Sequence, residues 1–69
     1  MPANKDLIKL GRNFKAIREK KNISQADFAE KAGLQQSYIS SLENGKINVT
    51  YTTLISCCNA LEITPIHVI

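Results

Sequence analysis

Two short amphipathic segments, QADFAEK and QSYISSLE, stand on either side of one glycine, Gly33. That arrangement constrains the fold more than any other feature of the chain. Ser24 precedes the first segment as an N-cap candidate, and Asp27 three residues on makes a shortened capping box. Phe28, Ala29 and Ala32 form a narrow apolar stripe, and the small Ala26 and Ala29 let another helix come close. The reading is a helix from about Gln25 to Lys31. Gly33 then supplies the positive φ of a tight turn, Leu34 is a buried turn residue, and Gln35 is the N-cap of a helix from Gln36 to Glu43. On that helix Ile39 and Leu42 mark a single packed side, while Gln36, Ser37, Ser40 and Ser41 are left to the outside. Asn44-Gly45 closes it.

The flanking sequence reads as helix too. Leu7, Leu10, Phe14 and Ile17 recur at spacings of three and four, one face of a helix from about Asp6 to Lys20, and Asn22 closes it in the left-handed conformation. After a loop through Asn48, Thr50 caps a fourth helix whose buried stripe is Leu54, Cys57, Cys58 and Leu61. The β-branched residues between Ile47 and Thr53 also suit a strand. Thr64-Pro65, a cap followed by proline at the first helical position, begins a short fifth helix. The expected fold is therefore all-α, a compact bundle of about five short helices in one domain spanning residues 1–69.

Composition removes several classes of function. Hydrophobic residues make up 43% of the chain and charged residues 22%, which suits a globular protein rather than a disordered one. No apolar run approaches the ~18 residues that cross a bilayer. The first ten residues, MPANKDLIKL, lack the apolar core and cleavage site of a secretory signal, so the expected location is the cytoplasm. Cys57 and Cys58 are adjacent, and neighbours on a helix point about 100° apart, so they neither bridge each other readily nor share a metal. They read as small apolar residues in a reducing compartment. His67 is the one histidine, with no nucleophile or carboxylate at a catalytic spacing and no glycine-rich phosphate loop. Neither an enzyme nor a cofactor or metal site is expected.

Charge is unevenly placed. The net charge is +3, yet all nine Lys and Arg lie at or before Lys46, and Glu62 is the only charged residue beyond it. A basic half points to a polyanion. The competing reading, a plainly solvated helix face, is not removed by charge alone. The charge-poor half must cover something. Ile55, Ile63, Ile66, Val68 and Ile69 exceed what a small core can bury, so they are expected to form a homodimer interface; the alternative is that they seal the core of a monomer.

Two short helices about a glycine turn, backed by a first helix, make a helix-turn-helix unit. The major groove of DNA admits one α-helix and displays base-edge donors and acceptors. Glutamine pairs with adenine through both amide groups, and serine donates or accepts at most edges. Gln36 and Ser37, followed by Ser41 and Ser40, are thus the base-reading candidates; the competing reading is a merely solvated helix. Tyr38 either touches the sugar-phosphate or packs along the helix. Gln25 stands where free backbone N–H groups at a helix start can meet an anion.

The run ISQADFAEKAGLQQSYISSLENGKIN, with LGRNFKAIREKKN before it and VTYTTLISCCNALEI after it, resembles phage-repressor-type (Cro/CI, or Xre) helix-turn-helix regulators over about residues 7–65. Ser24-Gln25, Ala29, Gly33, the Tyr38-Ile39-Ser40 triplet, Glu43, Gly45 and Leu54 match together. The short length and YISSLENGKINVT are similar to controller proteins of restriction–modification systems. The resemblance implies a phosphate contact at Gln25 and further backbone contacts at Asn44 and Lys46. It also implies an ion pair between Arg18 and Glu43 that props the second helix of the motif and sets Arg18 near a phosphate. The expected function is a sequence-specific regulator of transcription, more a repressor or autoregulator than an activator. It would bind a palindromic duplex as a homodimer, with half-sites about 34 Å apart or a multiple. RNA polymerase is a further partner class, though no segment marks a contact with it. The rival class is an antitoxin-like protein-binding module on the same fold, which would require a protein partner where a regulator requires only DNA.

Overall fold

Three of the four α-helices in the computed structural model, which describes residues 4–69, begin at a side chain that accepts from a free N–H group of the first turn. Asn4 caps α1 (Lys5–Lys20), its side-chain oxygen accepting from the N–H groups of Asp6 and Leu7 at 2.8 and 3.2 Å. Ser24 caps α2 (Gln25–Ala32), accepting from the Asp27 N–H at 3.0 Å. Gln35 precedes α3 (Gln36–Glu43) in extended conformation without a side-chain capping bond. Thr50 caps α4 (Tyr51–Ala60), accepting from the Thr53 N–H at 3.3 Å. All four helices end beside a residue in the left-handed region: Asn22 at φ 58 after α1, Gly33 at φ 72 after α2, Gly45 at φ 69 after α3 and Glu62 at φ 57 after α4. No strand forms among the described residues, so the β-branched stretch before α4 is loop.

The fifth expected helix is a single 3-10 turn, Pro65–His67. It is held tight by bonds from the His67 N–H to the Thr64 carbonyl and from the Val68 N–H to the Pro65 carbonyl, at 3.0 and 3.1 Å. His67 Nδ1 accepts from the Thr64 N–H at 3.2 Å. Val68 then turns inward, and its carbonyl accepts from Asn13 Nδ2 on α1 at 2.8 Å. This corrects the expectation for Val68: its side chain is fully buried in the monomer and presents nothing to a second copy.

The core joins all four helices. Phe14, Phe28, Ile39, Leu42, Cys57, Cys58, Leu61 and Val68 are buried, with Phe14 and Phe28 stacked at a tilt, ring centroids 5.9 Å apart. Leu10, Ile17, Leu34, Leu54 and Ile63 pack around them half-buried. Burying each such large side chain contributes about 1.5–3 kcal/mol. One contact was invisible in the apolar pattern. α1 lies against the end of α3 at Gly11, where a β-carbon would sit 2.7 Å from the Glu43 carbonyl oxygen and clash with the Leu42 carbonyl. The absence of a side chain there is what lets the two backbones meet, and it fixes how α3 stands on its support.

Candidate nucleic-acid interface

α3 has two faces, and at about 100° per residue they are separable residue by residue. Ile39, Leu42 and Glu43 are buried. Gln36 and Ser37 are exposed, while Ser40, Ser41 and Tyr38 are half-buried on its flanks. The first turn therefore presents hydrogen-bonding side chains to solvent, and the later serines stand lower. Ser37, Tyr38 and Ser41 share an open cleft with Leu34, Gln35 and Ile47. Gln35 belongs to this surface although it reads in the sequence as a cap. Its side chain makes no capping bond and is exposed, which leaves its amide free. The weak N-cap preference of glutamine is the signal that marks it.

A buried polar cluster supports this face from behind. Arg18 Nε donates to Glu43 Oε2 at 2.7 Å and Nη2 donates to Oε1 at 3.0 Å, a two-pronged pair. Arg18 Nη1 donates to the Ile23 carbonyl at 2.8 Å. Gln25 Nε2 adds a fourth bond, to Glu43 Oε1 at 3.0 Å. Arg18 and Glu43 are 8% and 5% exposed, so the pair is withdrawn from water. The hydrogen bond to Glu43 raises the Arg18 pKa above its ordinary value, against the opposing effect of burial. The guanidinium stays charged.

This geometry changes the place of Arg18. Each of its three nitrogens donates a bond inside the protein and the residue is 8% exposed, so it acts on α3 through Glu43. Gln25 is turned inward as well, but its Nε2 carries two N–H bonds and spends one on Glu43. The backbone at the start of α2 remains at the surface. Asn44 and Lys46 are exposed in the loop after α3, with Asn44 Nδ2 bonded back to the Ser40 carbonyl at 2.9 Å. The exposed apolar residues lie elsewhere: Tyr51 on α4, and Ile66 and Ile69 at the C-terminal turn. Ile55 and Ile63 are half-buried, Ile63 against the core. Tyr51 was not singled out in the sequence, because a tyrosine at the start of a helix carries no periodic signal.

Comparison with known proteins fits this arrangement. A family model described as helix-turn-helix matches residues 14–68. The control protein C.MunI of a Mycoplasma species is 41% identical over 58 residues, 83% of this chain and 78% of its own. The crystal structure of the restriction-modification controller protein C.AhdI from Aeromonas hydrophila superposes with a TM-score of 0.93 at 32% identity, over 96% of this chain and all of that one. The controller protein C.Esp1396I, solved as a tetramer in complex with its natural 35 base-pair operator, matches 91% of this chain and 83% of its own with a TM-score of 0.86 at 32% identity.

Proposed function

This chain belongs to the helix-turn-helix family, and on that premise we propose that it is a sequence-specific regulator of transcription that binds double-stranded DNA through α3. The first turn of α3 enters the major groove, with Gln36 and Ser37 reading base edges and Ser40 and Ser41 deeper contributors. Gln25, Tyr38, Asn44 and Lys46 grip the backbone on either side. The observation that carries this reading is the split of one short helix: Gln36 and Ser37 are exposed while Glu43 on the same helix is buried and held by α1 and α2. A reading helix needs that combination of free polar tips and a fixed stem.

The operator is read by two copies. Ile66, Ile69 and Ile55, joined by Tyr51, offer the apolar surface for pairing, and C.Esp1396I offers the precedent of an oligomer on an operator. The chain acts in the cytoplasm as one domain, repressing or autoregulating without a cofactor.

Selection of bound duplexes from a random pool tests the whole reading. A two-fold symmetric sequence should emerge, bound with affinity that falls steeply as salt rises. Recovery of no preferred sequence, or retention only in the presence of a protein partner, would turn the assignment toward a protein-binding module.

A further inference from the structure

Lys5, Lys9 and Arg12 follow one another along α1 at spacings of four and three, so they share one side of the helix. All three are exposed, and with Ile8 and Asn13 they line a shallow groove of about 390 Å³. Among the described residues the only salt bridge is Arg18–Glu43, so none of these cations has a carboxylate partner. Asp6, the nearest acidic residue in sequence, is absent from the groove lining and borders the neighbouring concavity with Leu7, Leu10 and Val68, which Lys9 also edges; it forms no salt bridge with Lys9. A merely solvated helix face gains by interleaving opposite charges, and like charges three or four residues apart work against helix stability. Three unpaired cations around a concavity are suited to an anion.

The position of the groove narrows the choice of anion. Ile8, in its wall, lies against Gly45: a β-carbon on Gly45 would sit 2.7 Å from the Ile8 Cα and 2.9 Å from its backbone nitrogen. Gly45 belongs to the loop that directly follows α3, and Lys46 is the next residue. The basic groove is thus continuous with the loop through which α3 leaves the surface. We propose that it is a second backbone contact, taking phosphates of the duplex that flank the stretch read by α3. The proposal rests on α3 being the DNA-reading helix. A duplex already held there presents its neighbouring phosphates at high local concentration, whereas an acidic protein segment would have to be recruited separately.

The test uses the full chain, the duplex recovered by selection, and the triple variant K5A/K9A/R12A, whose alanines suit an exposed helix. Affinity is measured across a range of salt on two duplexes, one ending at the edges of the selected site and one extended on both sides. The expected result is length-dependent. On the extended duplex the variant loses about 0.9 in the salt slope for each phosphate contact removed, about 2 or more in total, and binds about tenfold or more weakly at low salt. Its sequence preference is unchanged, and on the short duplex it matches the parent protein. Equal slopes for parent and variant on the extended duplex overturn the proposal while leaving α3 intact as the reader. Equal losses on both duplexes also overturn it, because the contact then lies inside the site. Unchanged DNA binding with loss of poly-glutamate binding would hand the groove to an acidic protein. Failure of the parent protein to prefer any duplex would instead defeat the reading beneath.

Discussion

Gln25 and Glu43 are joined across the helix-turn-helix, Nε2 of one lying 3.0 Å from Oε1 of the other although eighteen residues separate them in sequence. Arg18 holds the same carboxylate from the opposite side at 2.7 and 3.0 Å. One carboxylate at the end of α3 therefore receives donors from both α1 and α2. The cluster ties three helices at a point where an apolar contact would leave their angles free. Such a pair is not a large source of net stability, since two ions have been withdrawn from water to form it. What it supplies is a single position for the reading helix.

Glu43→Ala should therefore harm the protein twice. Removing one partner strands the Arg18 guanidinium among buried groups, a change that costs about 3–5 kcal/mol in buried pairs, a large part of what a domain of this size possesses. Glu43→Gln keeps the shape and a hydrogen-bond acceptor, and should cost less. DNA affinity, measured where each variant is folded, should fall further in Glu43→Ala than in Ser37→Ala, Ser40→Ala or Ser41→Ala. Urea titration and duplex titration check the two halves. A Glu43→Ala protein of normal stability and undiminished affinity would remove the cluster from any supporting role.

The glycines make opposite predictions from opposite surroundings. At Gly33 a β-carbon meets nothing within 4 Å, and the cost of Gly33→Ala is the left-handed φ of 72, about 1–2 kcal/mol. Gly11 has an ordinary helical backbone, where alanine usually adds about 0.5–1 kcal/mol of stability. Here its β-carbon would lie 2.7 Å from the Glu43 carbonyl oxygen and 2.8 Å from the carbonyl carbon, both backbone atoms that cannot swing away. Gly11→Ala should reverse the usual sign, push α1 off α3, and destabilise more than Gly33→Ala. Thermal melts of the two variants decide it, and a Gly11→Ala protein as stable as the parent would show that α1 and α3 have room to part.

The particular residues that were readable in advance share a physical reason, and so do those that were not. Phe14, Ile39 and Leu42 are buried where a 3.6-residue period places them, and the polar face of α3 follows from the same period between Gly33 and Gly45. Local chemistry was enough for Ser24 and Thr50 as caps. Gly11 looks like a flaw within a helix until α3 is laid against it. A count of aliphatic residues puts Val68 at a dimer interface, because it does not reveal that Asn13 draws the chain end inward. The inward turn of Gln25 depends on a carboxylate in another helix. Periodicity exposes faces, while the partners of individual polar groups emerge only from tertiary structure.

Glu62 offers a stabilising change. It stands beyond α4 at φ 57, in the left-handed region that costs a residue with a β-carbon about 1–2 kcal/mol. Its N–H bonds to the Asn59 carbonyl at 3.1 Å, so the backbone is needed there in that conformation. Glu62→Gly should remove the strain, and after the added freedom of the unfolded chain a gain of about 0.5–1 kcal/mol should remain. For a domain this small that is a rise of several degrees in melting temperature, at about 4–8 °C per kcal/mol. Asn22→Gly, at φ 58, should gain less, because asparagine already tolerates this region. A Glu62→Gly melt at or below that of the parent would exclude strain at this corner.

The adjacent cysteines set a limit at high pH. Cys57 and Cys58 are free thiols in the core, 0% and 1% exposed. Burial pushes the Cys57 thiol up to about 11, helped by the neighbouring Cys58, and burial raises Cys58 as well. A buried thiol whose pKa is raised binds its proton more tightly folded than unfolded. Its contribution is present in full below the unfolded value of 9.0 and is lost as pH climbs toward about 11. Between those limits unfolding free energy should fall by up to about 1.4 kcal/mol per pH unit for this one group. Denaturant titrations of the parent and Cys57→Ala at several pH values isolate the effect: the variant starts lower because of its cavity, but its stability should fall less steeply above pH 9. Alkylation gives an independent reading, since iodoacetamide at pH 8 should modify both thiols in urea and neither in the native protein. Rapid native labelling, or parallel pH profiles for parent and variant, would mean that the α4 thiols are reached by water.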